Sequence, residues 1–479
     1  MYDTIVIGAG SAGCALAGRL TEHPGRRVLV LEAGPPSLPP EVLDAASLAA
    51  TDPAHPRNWA YAAELRPGHT RVVPRGRGLG GSSAINGANW MRATPADCDG
   101  WEIPGWSYAE LLPHYIRSET DHDLRGHAHG AAGPIPVRRP VGALRHPVVD
   151  RFLAAADALG FPAEPDKNSG GPPGAGPVPA NVADDVRVNA AMAYLLPHLA
   201  RPNLTVRGDA PVGRVLLDRD RAVGVELIDA TIIEGGEVVL AAGAVATPHL
   251  LLLSGIGPAD DLRAAGIAVR HDRAGVGRGW SDHPAVFVPF RAPGRAHPHA
   301  PASQAALNVD TGADPAGDVE VLLFVRPFVE RGDLHLMCAL QHPDSRGTIT
   351  VTSPDPSVRP RIEYHYLRTE HDRRRLRHAI RTAADLLRAG LGERTTPRGG
   401  VLGDDRALDG WIAEHLTTSV HLCGSAAMGP AADLSSVVDA ELRVRGVSGL
   451  RIVDTSVLPV VPRRGTAATA VAIGEKAAR

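Results

Sequence analysis

The chain has 479 residues, of which 44% are hydrophobic and 22% charged, and its formal net charge is −3. The length predicts two or three folding units, and the nearly balanced charge argues against a general nucleic-acid-binding surface. The four cysteines are far apart and form no CxxC pair, so we expect neither a disulfide framework nor a metal site, which fits a cytoplasmic location. No signal peptide or transmembrane segment is predicted.

The chain begins with the pattern of a dinucleotide-binding βαβ unit. An apolar run at 3–7 leads into the sequence GAGSAG at 8–13, and small residues follow with helical spacing at 14–20. A second apolar run at 27–31 ends at Glu32. Strand, glycine turn, helix, strand and acid thus occur at the spacing of the GxGxxG fingerprint, which by itself does not distinguish FAD from NAD.

Each glycine of this turn has a physical reason. Gly8 lets the chain turn sharply out of the strand, and Gly10, which lacks a Cβ atom, lets a pyrophosphate approach the backbone. Gly13 lets the helix lie close to the strand, and the helix directs its free N–H groups and positive dipole end toward the phosphates. Glu32 is predicted to accept hydrogen bonds from a ribose diol.

A second glycine-rich segment occupies residues 76–92, after an excursion rich in proline and alanine at 35–75. Its glycine turn is followed by polar side chains at Ser82, Ser83, Asn86 and Asn89. Such a segment suits a flat polar ligand that contacts backbone N–H groups and short polar side chains. A flexible loop is the alternative, but apolar residues within the segment would anchor it.

The middle of the chain predicts two kinds of sheet. Several short strands are predicted within 204–240, and the last of them enters another glycine turn at Gly243. Farther along, antiparallel strands are predicted at 286–290, 319–327, 334–340 and 348–352, and an amphipathic helix at 370–390. The stretch 291–317 is rich in Ala, Pro and Gly, and it is predicted to be a long loop without a regular element.

Two long segments resemble the signatures of the glucose–methanol–choline (GMC) oxidoreductases, which are FAD-dependent enzymes that act mostly on alcohols. Residues 76–99 match the first signature at every fixed position, and 243–257 match the second. Other stretches that are similar to the family are 194–197, 201–206, 281–284 and 450–476. The resemblance therefore spans the whole chain.

The resemblance implies a mixed α/β and α+β fold, in which a Rossmann-like FAD-binding domain is joined to a substrate (cap) domain with an antiparallel sheet. The expected divisions are 1–284 for the mostly FAD-binding N-terminal region, 285–405 for the cap domain, and 406–479 for a return to the FAD-binding domain. FAD is expected to bind non-covalently, because Ile85 stands where some members carry a histidine that attaches to the flavin.

The motifs and the resemblance together give a set of expected FAD-binding residues. By resemblance, Val212 lies at the adenine end, whereas Asp454 and the backbone near Thr466 and Ala467 lie at the ribityl chain and pyrimidine edge. The full set is Gly8, Gly10, Ser11, Gly13, Glu32, Ala33, Arg77, Gly80, Gly81, Ser82, Asn86, Gly87, Ala88, Asn89, Val212, Asp454, Thr466 and Ala467.

The predicted catalytic base is His421. Oxidation of an alcohol removes a proton from a very weakly acidic hydroxyl, so a base must lie beside it, and an imidazole with a pKa of about 6.5 suits that task. Residues 418–429 resemble the family's catalytic-histidine segment, although Leu422 replaces the usual proline. His283, within an Asp-His-Pro sequence similar to the family's, is predicted to be structural, with catalysis the less favoured alternative.

Gly465 stands where the family places a second catalytic histidine or asparagine, and 460–469 contains neither residue. Three hypotheses follow. His421 could work alone, with the glycine leaving room for a bulky substrate or a water. Arg463 or Arg464 could supply the polar group as a cation. Redox chemistry could also be weakened or lost. The first two together are favoured, with Arg464 as the second catalytic residue, because losing one donor commonly costs only about a few kcal/mol.

The predicted function is oxidation of the CH–OH group of an alcohol by hydride transfer to flavin N5, with a dehydrogenase favoured over an oxidase. The expected partners are a small alcohol, which could be bulky, and an unidentified electron acceptor. The short length and Gly465 are similar to GMC enzymes linked to mycofactocin, which would imply a bulky redox-cofactor alcohol. The alternatives are an FAD-containing lyase of the hydroxynitrile lyase type and a non-catalytic FAD-binding protein.

Overall fold

A computed structural model of the chain describes residues 2–326, 333–397 and 399–478. The α-helices are Ser11–Leu20, Pro40–Leu43, Pro95–Gly100, Tyr108–Ser118, Val148–Ala158, Ala190–Tyr194, Gly243–Leu253, Ala259–Ala264, Glu370–Leu386, Asp405–His415 and Ala467–Ala477. Short 3-10 turns are Ala49–Thr51, Gly81–Ala84, Gly142–Leu144, Leu196–His198, Gly399–Gly403 and Thr455–Val457, and Leu387–Leu391 is a π-turn. Among the described residues, no helix combines the length and apolar character that a membrane span requires.

The nucleotide-binding sheet contains the predicted βαβ unit. Its strands, in order across the sheet, are Leu204–Arg207, Val28–Leu31, Tyr2–Ile7, Ile232–Leu240, Arg221–Leu227 and Val212–Asp218, and Leu450–Ile452 pairs with Ile232–Leu240. The pairs on both sides of Tyr2–Ile7 are parallel, with Ile5 opposite Leu29 and Val238. The parallel strands contain buried apolar runs at 5–7, 28–31 and 238–240, as expected when helices cover both faces of a parallel sheet.

Small residues hold the helices close to this sheet and to one another. A Cβ atom added at Gly18 would lie 2.5 Å from the carbonyl oxygen of Tyr194, and one added at Gly474 would lie 2.4 Å from that of Ala12. Helix Ser11–Leu20 therefore packs closely against both of its helical neighbours. The helix N-terminus meets the glycine turn at the carboxyl edge of the sheet, where parallel α/β folds bind ligands.

The cap sheet is antiparallel, as predicted. Its strands, in order, are Glu393–Arg394, Pro284–Arg291, Leu334–Leu340, Val319–Phe324, Ser303–Val309 and Ala175–Pro177, and Thr417–Thr418 pairs with Pro284–Arg291. Helix Glu370–Leu386 covers one face of the sheet, which agrees with the prediction at 370–390. The strand predicted at 319–327 is observed to residue 324, and residue 327 lies outside the described residues.

Two sequence predictions in this region are wrong. The stretch 291–317, predicted as a loop, contains strand Ser303–Val309, whose seven residues are all buried and so show no polar–apolar alternation. The strand predicted at 348–352 is observed at Gly347–Thr350, but it belongs to another sheet, whose order is Arg278–Trp280, Gly347–Thr350, Arg361–Glu363, Tyr61–Arg66 and His69–Val73.

That sheet includes a hairpin formed by Tyr61–Arg66 and His69–Val73. The sequence predicts the surrounding segment, 35–75, only as an excursion from the nucleotide-binding domain. Three further sheets have two strands each in the described residues: Glu119–Asp121 with Ile135–Val137, Val182–Ala183 with Val186–Arg187, and Ile256–Gly257 with His271–Asp272. Residues of the nucleotide-binding sheet and of the cap sheet line a common cavity, which forms the site.

Candidate active site

A cavity of about 970 Å³ extends from the carboxyl edge of the nucleotide-binding sheet to the uncovered face of the cap sheet. Ile7, Leu31 and Ala241 line one end, and Phe287 and Met337 of the cap sheet line the other. Its volume lies at the upper end of the range for small-molecule and cofactor sites. One cavity therefore has room for a dinucleotide and, beyond it, a substrate.

The nucleotide end of the cavity is made by backbone that side chains would exclude. Gly8 has a φ of +101°, and a Cβ atom there would lie 2.5 Å from the carbonyl oxygen of Ala241. A Cβ atom at Gly13 would lie 2.1 Å from the carbonyl oxygen of Gly8. At Gly10 the nearest protein atom would be 3.9 Å away, so its Cα faces open cavity, as a pyrophosphate cradle requires.

The two glycine-rich segments touch each other. A Cβ atom at Gly81 would lie 2.7 Å from the Cα atom of Gly10, and the Gly80 N–H donates to the carbonyl oxygen of Ala9 at 2.8 Å. The segment 76–92 is thus a second wall of the nucleotide site rather than a flexible loop. Its approach depends on the absence of a side chain at Gly81.

Glu32 connects the two segments. Its carboxylate accepts N–H bonds from Ala9 at 2.9 Å, from Gly34 at 2.9 Å and from Gly78 at 2.8 Å. Burial raises the pKa of Glu32, and the three N–H donors oppose that rise. Glu32 also lines the cavity, so the predicted ribose contact stays a prediction beside a structural role that sequence reasoning missed.

The structure places most of the expected FAD-binding residues on the cavity wall. Those that line it are Gly8, Gly10, Ser11, Glu32, Ala33, Arg77, Gly81, Ser82, Asn86, Gly87, Asn89, Val212, Asp454, Thr466 and Ala467. Gly13, Gly80 and Ala88 lie just behind the wall and shape its backbone. The four cysteines are free and buried.

Asp454 joins two further segments at this wall. Its carboxylate accepts hydrogen bonds from the Gly243 N–H at 2.9 Å, the Thr247 hydroxyl at 2.6 Å and the Ser456 N–H at 2.8 Å. The second glycine turn and the C-terminal segment are therefore fixed to each other beside the cavity. Burial raises the pKa of Asp454, and its donors oppose the rise.

A buried carboxylate, Asp282, organises the other end of the cavity. It accepts the backbone N–H of His421 at 2.8 Å, the backbone N–H of His283 at 2.7 Å and the Thr418 hydroxyl at 2.9 Å. The Asp-His-Pro sequence and the segment that carries His421 are thus bound to the same side chain. Pairing of Ser281 with Cys423 extends this connection.

The two histidines contact each other directly. The Nδ1 atoms of His283 and His421 are 3.0 Å apart, and the rings are nearly perpendicular at 81°. At that distance one Nδ1 atom donates and the other accepts. Burial lowers the pKa of His283 well below its usual value, and the backbone of Pro462 and Gln341 opposes that shift only in part. Sequence reasoning missed this contact, although the Asp-His-Pro motif pointed to His283.

The backbone before His421 is strained. Val420 has a φ of +66°, which is rare for a β-branched residue. It is held there by a hydrogen bond from its N–H to the Thr418 hydroxyl at 2.9 Å and by Arg75, which donates to its carbonyl.

Burial, together with the positive charge of Arg75, lowers the pKa of His421 to about 3. The imidazole is therefore neutral at physiological pH and keeps a free lone pair, although it is a weaker base than an exposed imidazole.

Gly465 lies beside His421, as the resemblance to the family implies. A Cβ atom there would lie 3.6 Å from Nε2 of His421. The space next to that nitrogen is consequently open to the cavity, which both residues line.

The structure gives no support to the hypothesis that a neighbouring arginine supplies the missing polar group, and the catalytic assignment of Arg464 stays a prediction. Arg464 is 2% exposed, does not line the cavity and pairs with Glu164 at 3.3 Å. Arg463 pairs with Asp97 and Asp314 and also lies off the cavity wall. Both cations are neutralised by carboxylates behind the wall.

Three potential metal ligands come together elsewhere, away from this cavity. Atoms of Glu119, Asp121 and His129 lie within 4.8 Å of one another. Arg92 contacts Glu119 at 2.6 Å, and Arg139 contacts Asp121 at 2.9 Å, so arginine already balances both carboxylates. The group is accounted for as an ion-paired cluster, and the expectation of no metal site stays a prediction.

Comparison with known proteins identifies the class. The GMC oxidoreductase N-terminal model matches residues 2–285, and the C-terminal model matches 343–474. The chain therefore belongs to the GMC oxidoreductase family, whose members are FAD-dependent enzymes that oxidise alcohol-type donors. The expected fold, cofactor and enzyme class are confirmed.

Relatives cover nearly the whole chain. An uncharacterised GMC-type oxidoreductase of Rhodococcus erythropolis is 40% identical over 99% of this chain and 97% of its own length. An oxygen-dependent choline dehydrogenase of Brucella anthropi is 33% identical over 99% of this chain and 94% of its own. The crystal structure of pyridoxine 4-oxidase from Mesorbium loti superposes with a TM-score of 0.92 at 30% identity, covering 100% and 99% of the two chains.

The residues present fit FAD. Gly10 leaves open space against the cavity, the helix Ser11–Leu20 directs its N-terminus there, and the segment 76–92 closes the site from the opposite side. Ile85 has no side-chain atom that could bond covalently to a flavin, so non-covalent binding stays the expectation.

Proposed function

We propose that this protein oxidises the CH–OH group of an alcohol and that His421 is the base. The observation that carries the proposal is a neutral imidazole whose Nε2 atom faces open cavity at Gly465. When bound, FAD supplies the hydride acceptor at flavin N5. The side chains of this protein bind the alcohol, orient its hydroxyl and remove its proton.

The contact with His283 supports a defined tautomer of the base. If Nδ1 of His421 donates to Nδ1 of His283, Nε2 of His421 carries the lone pair, and the substrate proton moves to that atom. Asp282 holds the backbone of both residues and keeps the donor and acceptor aligned. His283 is therefore proposed as a positioning residue.

Gly465 supports a substrate larger than the simplest alcohols. An asparagine or histidine side chain at this position would occupy the space 3.6 Å from Nε2 of His421 and beyond. The glycine leaves that space for the substituent of a bulky alcohol or for a water molecule that assists the base.

We expect a dehydrogenase rather than an oxidase. The curated relative at 33% identity is named an oxygen-dependent choline dehydrogenase, whereas the structural neighbour is a pyridoxine 4-oxidase. Turnover with one alcohol should be measured with dissolved oxygen and with an artificial quinone. A dehydrogenase reacts faster with the quinone, and equal or faster turnover with oxygen would make the protein an oxidase.

The main experiment follows the flavin absorbance anaerobically while a panel of primary alcohols is added. At least one alcohol should bleach the flavin, and His421→Ala should slow bleaching by about 10²–10⁴-fold, the usual contribution of a general base. His378→Ala, an exposed histidine on helix Glu370–Leu386, is the control and should bleach like the wild type.

Two results would contradict the proposal. Cleavage of a cyanohydrin without bleaching would favour the lyase. An unchanged bleaching rate in His421→Ala, with FAD content equal to that of the wild type, would remove His421 as the base.

A further inference from the structure

The cap sheet presents one carboxylate to the cavity. Along strand Val319–Phe324, Val319, Val321 and Leu323 pack beneath the helix Glu370–Leu386, so the alternate residues face the other way. Glu320, Leu322 and Phe324 line the cavity. Among the described residues of the cap sheet, Glu320 is the charged one on the cavity wall.

The wall around Glu320 is apolar. Phe287, Leu322, Phe324 and Met337 line the same part of the cavity, and the rings of Phe287 and Phe324 are 5.8 Å apart in an edge-to-face arrangement. Aromatic and methionine side chains accommodate apolar groups and also stabilise cations through their ring faces. A carboxylate in such surroundings is costly unless something compensates for its charge.

Part of that compensation comes from the neighbouring strand, where Asn308 lies directly opposite Glu320. Oε2 of Glu320 accepts a hydrogen bond from Nδ2 of Asn308 at 3.1 Å, and Oδ1 of Asn308 accepts one from Lys167 at 3.0 Å. Lys167 and Arg464 both contact Glu164, so two cations and two carboxylates are linked in one buried network. Lys167, Arg464 and Glu164 do not line the cavity.

Glu320 therefore has a supported side and an open side. Among the described residues, Asn308 donates the hydrogen bond that the carboxylate of Glu320 accepts. The remaining acceptor positions of the carboxylate face the cavity. Burial raises the pKa of Glu320, while Arg464, Asn308 and Lys167 act in the opposite direction. An ionised Glu320 is therefore only partly compensated by the residues that the structure describes, and its unfilled acceptor position faces the cavity.

We propose that Glu320 binds a protonated nitrogen group carried by the alcohol substrate. A hydrogen bond between an ammonium and a carboxylate is roughly twice as strong as a neutral one, and it strengthens where water is excluded. The aromatic and thioether wall would cover the rest of the substrate. The proposal rests on the proposed function, because it concerns the substrate oxidised beside His421.

The separation of the histidine pair from Glu320 also limits where the two ends of the substrate lie. Ala285, two residues after His283, and Glu320 pair with opposite sides of Ala339, so they lie two strands apart across the cap sheet. The hydroxyl and the ammonium would therefore bind to different parts of the cavity wall. A substrate with an aromatic or short aliphatic body between the two groups fits this arrangement.

Binding can be measured separately from oxidation with a matched pair of ligands that lack the hydroxyl. Calorimetry on the FAD-loaded protein would compare 4-methylbenzylamine, which is cationic at neutral pH, with its neutral isostere 4-ethyltoluene. The wild type should bind the amine at least tenfold more tightly. Glu320→Gln should reduce the affinity for the amine at least tenfold and leave that for 4-ethyltoluene within twofold.

Asp310→Asn removes an exposed carboxylate next to strand Ser303–Val309 and is the matched control, with both affinities unchanged. If Glu320→Gln does not retain FAD, Glu320→Met replaces the carboxylate with an apolar side chain of similar length. Equal affinity of the wild type for the two ligands, or the same preference in the wild type and the variants, would overturn the proposal.

The oxidation assay distinguishes this proposal from the proposed function. If no alcohol bleaches the flavin but the preference for the amine depends on Glu320, the cation site stands and the alcohol-oxidising function fails. If alcohols bleach the flavin and the variants show no change in cation preference, the function stands and the site fails.

Discussion

The two ends of the cavity are built in different ways. At the nucleotide end, backbone segments approach one another at glycines, and a Cβ atom at Gly13 or Gly81 would collide with main-chain atoms. At the other end, the important atoms belong to the side chains of His283, Glu320 and His421, which come from separate parts of the chain. The first end depends on the absence of side chains and the second on their presence.

This difference predicts which end of the cavity tolerates substitutions and which end does not. A missing Cβ atom has few substitutes, so the nucleotide end tolerates little change without loss of the fold or of FAD. Side chains on a sheet can be replaced without moving the backbone, so the cap end can change its substrate. The departure at Gly465 from the family pattern falls at the cap end, as this comparison leads one to expect.

The largest effects are expected from alanine at the two glycines of the first turn. Gly13→Ala places a Cβ atom 2.1 Å from the carbonyl oxygen of Gly8. The free energy of unfolding of the apoprotein should therefore fall by about 1–3 kcal/mol. Gly10→Ala has 3.9 Å of clearance, so the apoprotein should melt like the wild type while FAD affinity falls at least tenfold.

Calorimetric melting of apoprotein and FAD titration would test this pair. The assigned roles of the two glycines would be contradicted if Gly10→Ala destabilised the apoprotein as much as Gly13→Ala, or if Gly10→Ala bound FAD normally.

A smaller effect is expected at the histidine pair. His283→Leu removes the acceptor for Nδ1 of His421, and anaerobic flavin reduction should slow about 10–100-fold with FAD content unchanged. His283→Asn places an amide oxygen near the position of the lost nitrogen and should restore most of the rate.

Recovery in the asparagine variant separates a positioning role from simple loss of packing, because leucine fills the space equally well. Equal rates in the leucine and asparagine variants would limit His283 to a structural role, as the sequence alone predicted.

The smallest effect is expected at Gly465 and should depend on substrate size. Gly465→Asn fills space next to His421, so kcat/KM for bulky secondary or aryl alcohols should fall about tenfold. Small primary alcohols should change less than threefold. Gly465→Ala is the control with a single added methyl group, which meets its nearest neighbour at an ordinary contact distance of 3.6 Å.

A uniform loss of kcat/KM across all sizes of alcohol, with asparagine and alanine alike, would contradict the idea that the glycine makes room for substrate. A gain in rate for small alcohols with asparagine would show that the family's usual partner improves the base.

The nucleotide end was largely predictable from sequence, because each glycine reports a backbone approach that only glycine allows. The cap end was predictable only in part. Strand Ser303–Val309 was missed because all seven residues are buried and show no alternation. Glu320 and the contact between His283 and His421 were missed because their surroundings arise from pairing of distant strands, which spacing along the chain does not reveal.

Arg464 is the opposite case, a residue that the sequence favoured but that the structure places away from the cavity. Its place beside Gly465 in the sequence made it a natural candidate, yet its side chain pairs with Glu164 behind the cavity wall. Adjacent positions share a backbone, but their side chains can face different environments, and which environment each one faces depends on tertiary packing.

Asp282 connects the proposed base, His421, to the cap sheet. It binds the backbone of His421, and strand Pro284–Arg291 of the cap sheet begins two residues after it, paired there with Thr417–Thr418. By chain position His421 belongs to the C-terminal segment, and its backbone N–H also binds it to Asp282 at the start of the cap sheet. A cap transplanted from a relative together with these segments would therefore bring its own base, and substrate preference and proton removal would be inherited as one module.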